Sequence, residues 1–303
     1  MGLEYVLITP ARNEAALIEA TIQSVITQTV LPKRWVIVSD GSTDGTDEIV
    51  QKYLAGREWL ELIHFPEQRE RSFAAKVQAF NAGYERVKAL SFDVIGCLDA
   101  DITFVEDYFA FLLGRFEVDP KLGVAGTHYI EDGFHSYADS YISVHHVNGG
   151  AQLFRRACFE EIGGYIPIKG GGIDWVAVTT ARMQGWATYS FAERVFNHHR
   201  KIGTAGSNEL MSRFKYGKKD YYLGGHPFWE LFRGVFQMTK KPYFVGGIFL
   251  LFGYFWCWIT RVERPVSEEL VTFYRKEQLE RLRQLVLGRL CLACWALPDF
   301  LWS

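Results

Sequence analysis

The chain is 303 residues long, 49% hydrophobic and 16% aromatic, enough to bury the core of one large α/β domain with an appendage. A formal net charge of −2 excludes a global electrostatic pull toward nucleic acid, so any basic surface must be local. The five cysteines (Cys97, Cys158, Cys257, Cys291 and Cys294) form no dense framework, which excludes a small disulfide scaffold and predicts reduced thiols in a cytosolic setting.

The first residues enter a strand at once, with no charged leader, and predict no secretory signal. Residues 3–9 are an apolar run of strand length that breaks at Pro10, and residues 14–28 then carry apolar side chains at helical spacing. A second strand over 35–38 runs into Ser39-Asp40-Gly41-Ser42-Thr43-Asp44-Gly45-Thr46, a loop of turn formers and capping residues, followed by a helix over 44–54. A third strand over 60–65, a charged loop over 67–71 and a helix over 73–87 lead to an apolar run at 94–98. Strands alternating with helices at this spacing predict an α/β fold with a doubly wound, mostly parallel sheet.

The run at 94–98 ends in two acids, Asp99 and Asp101. In such sheets ligands bind at the carboxyl ends of the strands, and two carboxylates one residue apart can share that crevice if the chain turns there. Hard divalent cations such as Mg²⁺ or Mn²⁺ favour that oxygen site. Asp40, after the second strand, can accept from a base or ribose, and Arg71 and Lys76 are placed to meet base or phosphates. The first loop lacks glycine and is neither a P-loop nor a dinucleotide fingerprint.

Four motifs, Thr9-Pro10-Ala11-Arg12-Asn13-Glu14, the Asp40–Thr46 run, Asn81-Ala82-Gly83 and Leu98-Asp99-Ala100-Asp101, together resemble the inverting family 2 glycosyltransferases of GT-A fold, of the membrane-associated bacterial or archaeal type. The match covers about the first 200 residues, and the Asp-Gly-Ser-Thr-Asp-Gly-Thr run is its most specific part. The resemblance implies that Thr9, Ala11, Arg12, Asp40, Ser42, Arg71, Lys76 and Asp99 bind the nucleotide-sugar, with Thr9, Asp40 and Arg71 on the nucleoside, Asp99 on ribose and Glu14 bracing the first loop. It also places Asp101, with Asp99, on the metal. Ser39 stands where many members carry a second Asp, a departure that bears on base choice.

Residues 122–127 and 151–155 read as strands, 128–139 as a polar acceptor-side loop, and 158–165 as a helix ending at Gly163-Gly164. The glycine-rich stretch 169–172 then delivers Asp174 to the start of a helix over 175–184, where the dipole favours a carboxylate. By resemblance Asp174 is the catalytic base, with Ile173 where relatives carry a further acid. A strand over 187–196 ends in Asn197-His198-His199-Arg200; some relatives place a metal-binding His here, with His198 and His199 equally eligible, and Arg200 could meet the diphosphate. The Gln-x-x-Arg-Trp motif of processive synthases is missing, which points to single transfer.

Composition shifts after residue 205. A basic, aromatic segment (Arg213, Lys215, Lys218, Lys219) and Lys240-Lys241 precede a charge-free, aromatic stretch over 243–260, at the short end of what spans a bilayer. A span and an interfacial or re-entrant helix both fit, and Gly246, Gly247 and Gly253 favour the latter. Residues 264–283 read as a charged amphipathic helix and 285–302 as apolar again, while Cys291 and Cys294 read as neighbours on an apolar helix face. The expected organisation is a catalytic domain over 1–205, divided into a nucleotide half (1–101) and an acceptor half (102–205), and a helical, membrane-associating region over 206–303. The expected activity is metal-dependent, inverting transfer of one sugar from a nucleotide-sugar to a lipid-linked or surface-glycan acceptor at the cytoplasmic face of a membrane. A sugar nucleotidyltransferase is the rival enzyme, and a catalytically silent membrane scaffold the rival of another class.

Overall fold

The computed structural model of the protein describes residues 2–65, 72–135, 143–200 and 209–295. The chain divides into two compact units, Met1–Ile202 and Gly203–Ser303. The first unit opens with β1 (Tyr5–Ala11), α1 (Ile18–Ile26), β2 (Arg34–Ser39), α2 (Thr46–Leu54), β3 (Leu60–His64), α3 (Phe73–Val87) and β4 (Val94–Leu98). It continues with β5 (Ile102–Phe104), α4 (Tyr108–Val118), β6 (Leu122–Glu131), β7 (Phe134–His135), β8 (Ala151–Arg155), α5 (Arg156–Glu161), α6 (Ile173–Met183) and β9 (Ala187–His198).

The strands form one sheet in the order β3-β2-β1-β4-β8-β6-β9-β5, with β7 paired to β6. From β3 to β4 every pair is parallel, as the alternation of strands and helices predicts. Beyond β4 the expected mostly parallel sheet is corrected to a mixed one. Strand β8 is antiparallel to both β4 and β6, β9 is parallel to β6, and β5 is antiparallel to β9. A parallel neighbour needs a long crossover, usually helical, and β8 is entered from the 143–150 loop with no described helix ahead of it.

Strand β1 runs through Pro10 rather than breaking there, pairing Pro10 with Val38 and Ala11 with Ser39. The Ala11 carbonyl accepts from Asp40 on the β2 side. Pro10, one residue earlier, turns its donorless nitrogen the other way, where pairing with β4 has already ended at Ile8. The expected loop at 128–139 is partly strand, since β6 extends to Glu131 and turns into β7, while residues 136–142 lie outside the described residues. The sheet is buried on both sides: Val6, Leu7, Ile8, Val36, Ile37 and Val38 have no exposure. Gly83 lets α3 reach it, because a Cβ there would sit 2.6 Å from Ile8 Cγ2. The Asn81-Ala82-Gly83 motif is therefore at least partly a packing signature.

A further consequence follows from strand order. Four strand spacings separate β4 from β5, about 19 Å in a flat sheet. The chain joins Leu98 to Ile102 through three residues, four Cα-to-Cα steps that reach at most about 14 Å. The sheet must therefore curl. The Thr21 hydroxyl holds the closure at 2.9 Å from the carbonyls of both Ala100 and Ile102.

The second unit is helical: α7 (Glu209–Tyr222), α8 (Pro227–Met238), α9 (Val245–Ile259) and α10 (Glu268–Trp295). Among the described residues no helix is long and apolar enough to cross a membrane. Inside this unit Arg233 donates to Asp220 and lies 3.5 Å from Glu230, which is 1% exposed. Burial and the neighbouring Asp220 charge push the Glu230 carboxyl up to about 8 against the pull of Arg233. A carboxyl raised on folding binds its proton more tightly in the folded state, so stability declines as pH rises from the ordinary carboxyl range to about 8. Glu230→Gln is expected to flatten that decline and to be more stable than wild type at pH 8, as read from denaturant midpoints across this range.

Candidate active site

Strand directions collect the site. Strands β1, β2 and β4 are parallel, and β4, β6 and β9 also run the same way because two antiparallel steps through β8 restore the direction. The carboxyl ends of β1, β2, β4 and β9 therefore share one edge with the amino ends of the antiparallel β5 and β8. That edge carries Arg12 to Glu14, Asp40 to Thr46, Asp99 to Asp101, Asn148 to Gly150 and His198 to Arg200.

The first two loops are stapled together. Asn13 donates its backbone N–H to Ser42 Oγ at 3.1 Å, and its side-chain carbonyl accepts from the Thr43 N–H at 2.8 Å. Asp44 accepts from the Ala15 N–H and from both donors of Thr46, while Thr46 Oγ1 accepts from the Glu14 N–H at 2.8 Å. Burial opposes ionisation of Asp44, but these bonds outweigh it and hold its carboxyl below the usual range. Arg12 Nη1 lies 3.5 Å from Asp40 Oδ2. Glu14 is buried and takes a two-pronged ion pair from Arg200, at 2.9 and 2.5 Å.

Around the two acids the geometry tightens. Asp99 donates its N–H to the Gly150 carbonyl at 2.8 Å and accepts through Oδ1 from Lys76 Nζ. Burial pushes the Asp99 carboxyl up and Lys76 opposes it, with Asp101 adding to the rise. Burial alone would lower Lys76, but the charges of Asp99 and Asp174, among others, keep it protonated. One ligand atom each from Asp99, Asp101 and His198 lies within 4.8 Å of the others. His198 Nε2 is 3.7 Å from Asp101 Oδ1, and its buried Nδ1, which makes no hydrogen bond, is 3.8 Å from Glu131 Oε2. Two carboxylates and the Nε2 side of the imidazole fit a divalent cation of the Mg²⁺ or Mn²⁺ kind, with Glu131 beside the other ring nitrogen.

Of the two histidines, only His198 joins this cluster. His199 Nε2 is paired with Thr103 Oγ1 at 2.8 Å, and the His199 backbone N–H donates to the Asp101 carbonyl. The difference arises from β9, which pairs His198 with Ile102 of β5, immediately after Asp101.

Asp174 stands in the first turn of α6, which begins at Ile173, two residues earlier than the spacing suggests. Gly172 precedes it at φ +89°, a conformation glycine adopts without strain. Ile173 is buried in the core, which explains the apolar residue there. Gly149 leaves room for the acid, since a Cβ would lie 2.9 Å from the Asp174 Cβ. The Asn148–Gly150 loop thus touches Asp174 with one residue and Asp99 with the next. Neither this loop nor Glu131 was apparent from sequence, because no local pattern marks a glycine that meets a side chain 25 residues away.

Other expected residues stand differently. Thr9 is fully buried and its Oγ1 accepts from the Trp35 indole N–H at 2.9 Å, so its side chain serves the core rather than a nucleoside. Arg200 grips Glu14 and lies 3.9 Å from Asp101, joining the first loop to the acids. Ala11 contributes its carbonyl to the Asp40 N–H, and Ser42 is spent on Asn13. Arg71 lies outside the described residues. Cys97, Cys158 and Cys257 are buried free thiols, with burial pushing Cys97 up to about 12.

Residues 6–143 match the sequence model of the family described as glycosyl transferase family 2. A poly-beta-1,6-N-acetyl-D-glucosamine synthase of Staphylococcus aureus (strain COL) is 32% identical over 111 residues, 37% of this chain and 25% of that protein. The chain therefore spans about a quarter of the length of the curated relatives it matches. Among solved structures, a mannosyltransferase from Pyrobaculum calidifontis in complex with GDP-Man and Mn²⁺ superposes with a TM-score of 0.57 at 17% identity, covering 93% of this chain and 81% of that one. Residues 1–349 of TarS from S. aureus, in complex with UDP-GlcNAc, give 0.54 at 12% identity over 90% and 78%. At these identities the likeness is one of fold.

The Thr9 contact makes a direct prediction. Thr9→Val leaves the buried Trp35 indole N–H without an acceptor, so stability should fall by about 1–3 kcal/mol. Affinity for nucleoside diphosphates should stay within about twofold, and calorimetric titration alongside chemical denaturation checks both.

Proposed function

We propose that the chain is an inverting glycosyltransferase of family 2, whose sequence model matches residues 6–143, and that it moves a single sugar from a nucleotide-sugar to an acceptor hydroxyl. The observation that carries this reading is the meeting of two groups on one sheet edge. The Asp99–Asp101–His198 cluster and the cationic Lys76 can receive a diphosphate, and the 148–150 loop ties them to Asp174, with Gly149 against the Asp174 side chain and the Gly150 carbonyl accepting from the Asp99 N–H.

In this account the acceptor oxygen attacks the anomeric carbon from the face opposite the nucleotide while Asp174 takes the hydroxyl proton. The bond to the diphosphate oxygen breaks with its electron pair, giving the glycoside of opposite configuration and a nucleoside diphosphate. A divalent cation held by Asp101, Asp99 and His198 would supply charge stabilisation for the departing diphosphate. Lys76, bonded to Asp99, brings a fixed positive charge to the same place. Asp40, with Arg12 beside it, offers an acceptor for the base or ribose at the end of β2. Arg200 acts through Glu14, keeping the first loop against the acids.

The acceptor in this reading is a lipid-linked sugar or a growing surface glycan, and the enzyme works at the cytoplasmic face of a membrane. The poly-N-acetylglucosamine synthase likeness supports a surface glycan. The first loop, glycine-free and committed to Asn13–Ser42 and Glu14–Arg200 contacts, favours this reading over nucleotidyl transfer.

Asp174→Asn is nearly isosteric but accepts no proton at neutral pH. We expect kcat to fall about 10²–10⁴-fold, with donor affinity almost intact; a variant keeping a tenth of wild-type kcat would move the base elsewhere. The metal assignment separates the histidines. His198→Gln should weaken Mn²⁺ binding more than tenfold by electron paramagnetic resonance titration with nucleoside diphosphate present, whereas His199→Gln should leave it within about twofold.

A further inference from the structure

Helix α9 is built inside out for a helix facing water. Its buried face carries Gly246, Gly247, Leu250, Gly253, Tyr254 and Cys257, and large apolar side chains point outward. Ile248, Phe252, Trp256 and Ile259 follow one another at helical spacing and are all exposed, Ile248 to 54% and Ile259 to 77%. Helix α8 does the same with Leu231 and Val235. A surface helix in water turns its polar face outward.

The contacts on the inner face follow the same logic. A Cβ at Gly217 of α7 would lie 1.9 Å from the Leu250 carbonyl oxygen, and one at Gly253 would lie 2.1 Å from that of Phe214. On the other side, a Cβ at Gly247 would lie 2.3 Å from the Gly234 carbonyl oxygen. Glycine pairs thus bring α7 and α8 into backbone contact with α9. Helices associate through small residues in this way where lipid, not water, surrounds them.

Length and charge decide how such a face meets lipid. Helix α9 has 15 residues, about 22 Å of rise, against a hydrocarbon core of about 30 Å. The turn between α8 and α9 exposes Lys240 and Lys241 beside the exposed aromatic rings of Tyr243 and Phe244. Apolar and aromatic residues next to lysines match acyl chains beneath anionic headgroups.

We propose that the outward faces of α8 and α9 insert into one leaflet of an anionic bilayer without crossing it, with Lys240 and Lys241 against the lipid phosphates. This gives the membrane-facing part of the reading above a defined surface, and its test is independent of sugar transfer. The full-length chain is floated with phosphatidylcholine vesicles and with the same vesicles containing phosphatidylglycerol. Wild type should float with the anionic vesicles. The double substitution Ile248→Gln with Phe252→Gln should reduce vesicle affinity more than tenfold while leaving the circular dichroism spectrum and nucleoside-diphosphate affinity unchanged. Lys240→Gln with Lys241→Gln should weaken binding to anionic vesicles about thirtyfold and change binding to neutral ones little.

Should the apolar variant fail to fold, brominated acyl chains provide a second readout, quenching wild type more than Trp256→Phe. Wild type that stays in the soluble fraction with both vesicle types overturns the proposal. So does a dimer that ignores vesicles and that Ile248→Gln with Phe252→Gln dissociates. A chain that floats as described yet transfers no sugar leaves this proposal standing and removes the catalytic one.

Discussion

Asp99, Ala100 and Asp101 join two strands that lie four places apart in the hydrogen-bonded order of the sheet. A link that short cannot be made across a flat sheet, so the second half must curl until β5 returns beside the end of β4. The curl brings the end of β9 to the same place, because β9 is the partner of β5 and pairs His198 with Ile102. The Asp99–Asp101–His198 cluster is therefore a consequence of closure rather than an independent arrangement of three side chains. Closing the sheet costs chain entropy, which burial of Ile102 and Phe104 in the main core offsets.

The loops around the cluster are organised by their own polar groups. Asn13, Ser42, Asp44 and Thr46 spend much of their hydrogen-bonding capacity on one another's loops, and Glu14 spends its carboxylate on Arg200. A site assembled from several strand ends has no continuous backbone to keep it in shape, and cross-loop bonds of this kind supply the stiffness. Arg12, Asp40, Lys76, Asp99, Asp101 and Asp174 remain among the charged groups of this region.

Much of this was legible in the sequence, for physical reasons that can be named. Buried parallel strands read as apolar runs, so the end of the run at Leu98 marked Asp99 and Asp101 as strand-end acids. A glycine-rich approach to a helix marked Asp174 in the same way. What was not legible depends on pairing between distant segments. The choice of His198 over His199 turns on the register of β9, which shifts at an irregularity between Thr127 and His128 of β6. Thr9 reads as a ligand group until Trp35, 26 residues on, claims its hydroxyl. The mixed second half of the sheet was hidden for the same reason, since β5 is a three-residue strand. In the second unit, the apolar stretch was plain in composition, but which of its faces points outward emerged only from the glycine contacts.

The central claim is that closure of the sheet makes His198 and the two acids one cation and diphosphate site, joined to Asp174 through the 148–150 loop. Anomalous diffraction at the manganese edge, from crystals grown with Mn²⁺ and a nucleoside diphosphate, tests it most directly. The account predicts a single strong peak within about 2.0–2.3 Å of an Asp101 carboxylate oxygen and of His198 Nε2, with diphosphate oxygens completing its shell on the side of Lys76. A peak bound to His199, or one away from Asp101, would contradict it.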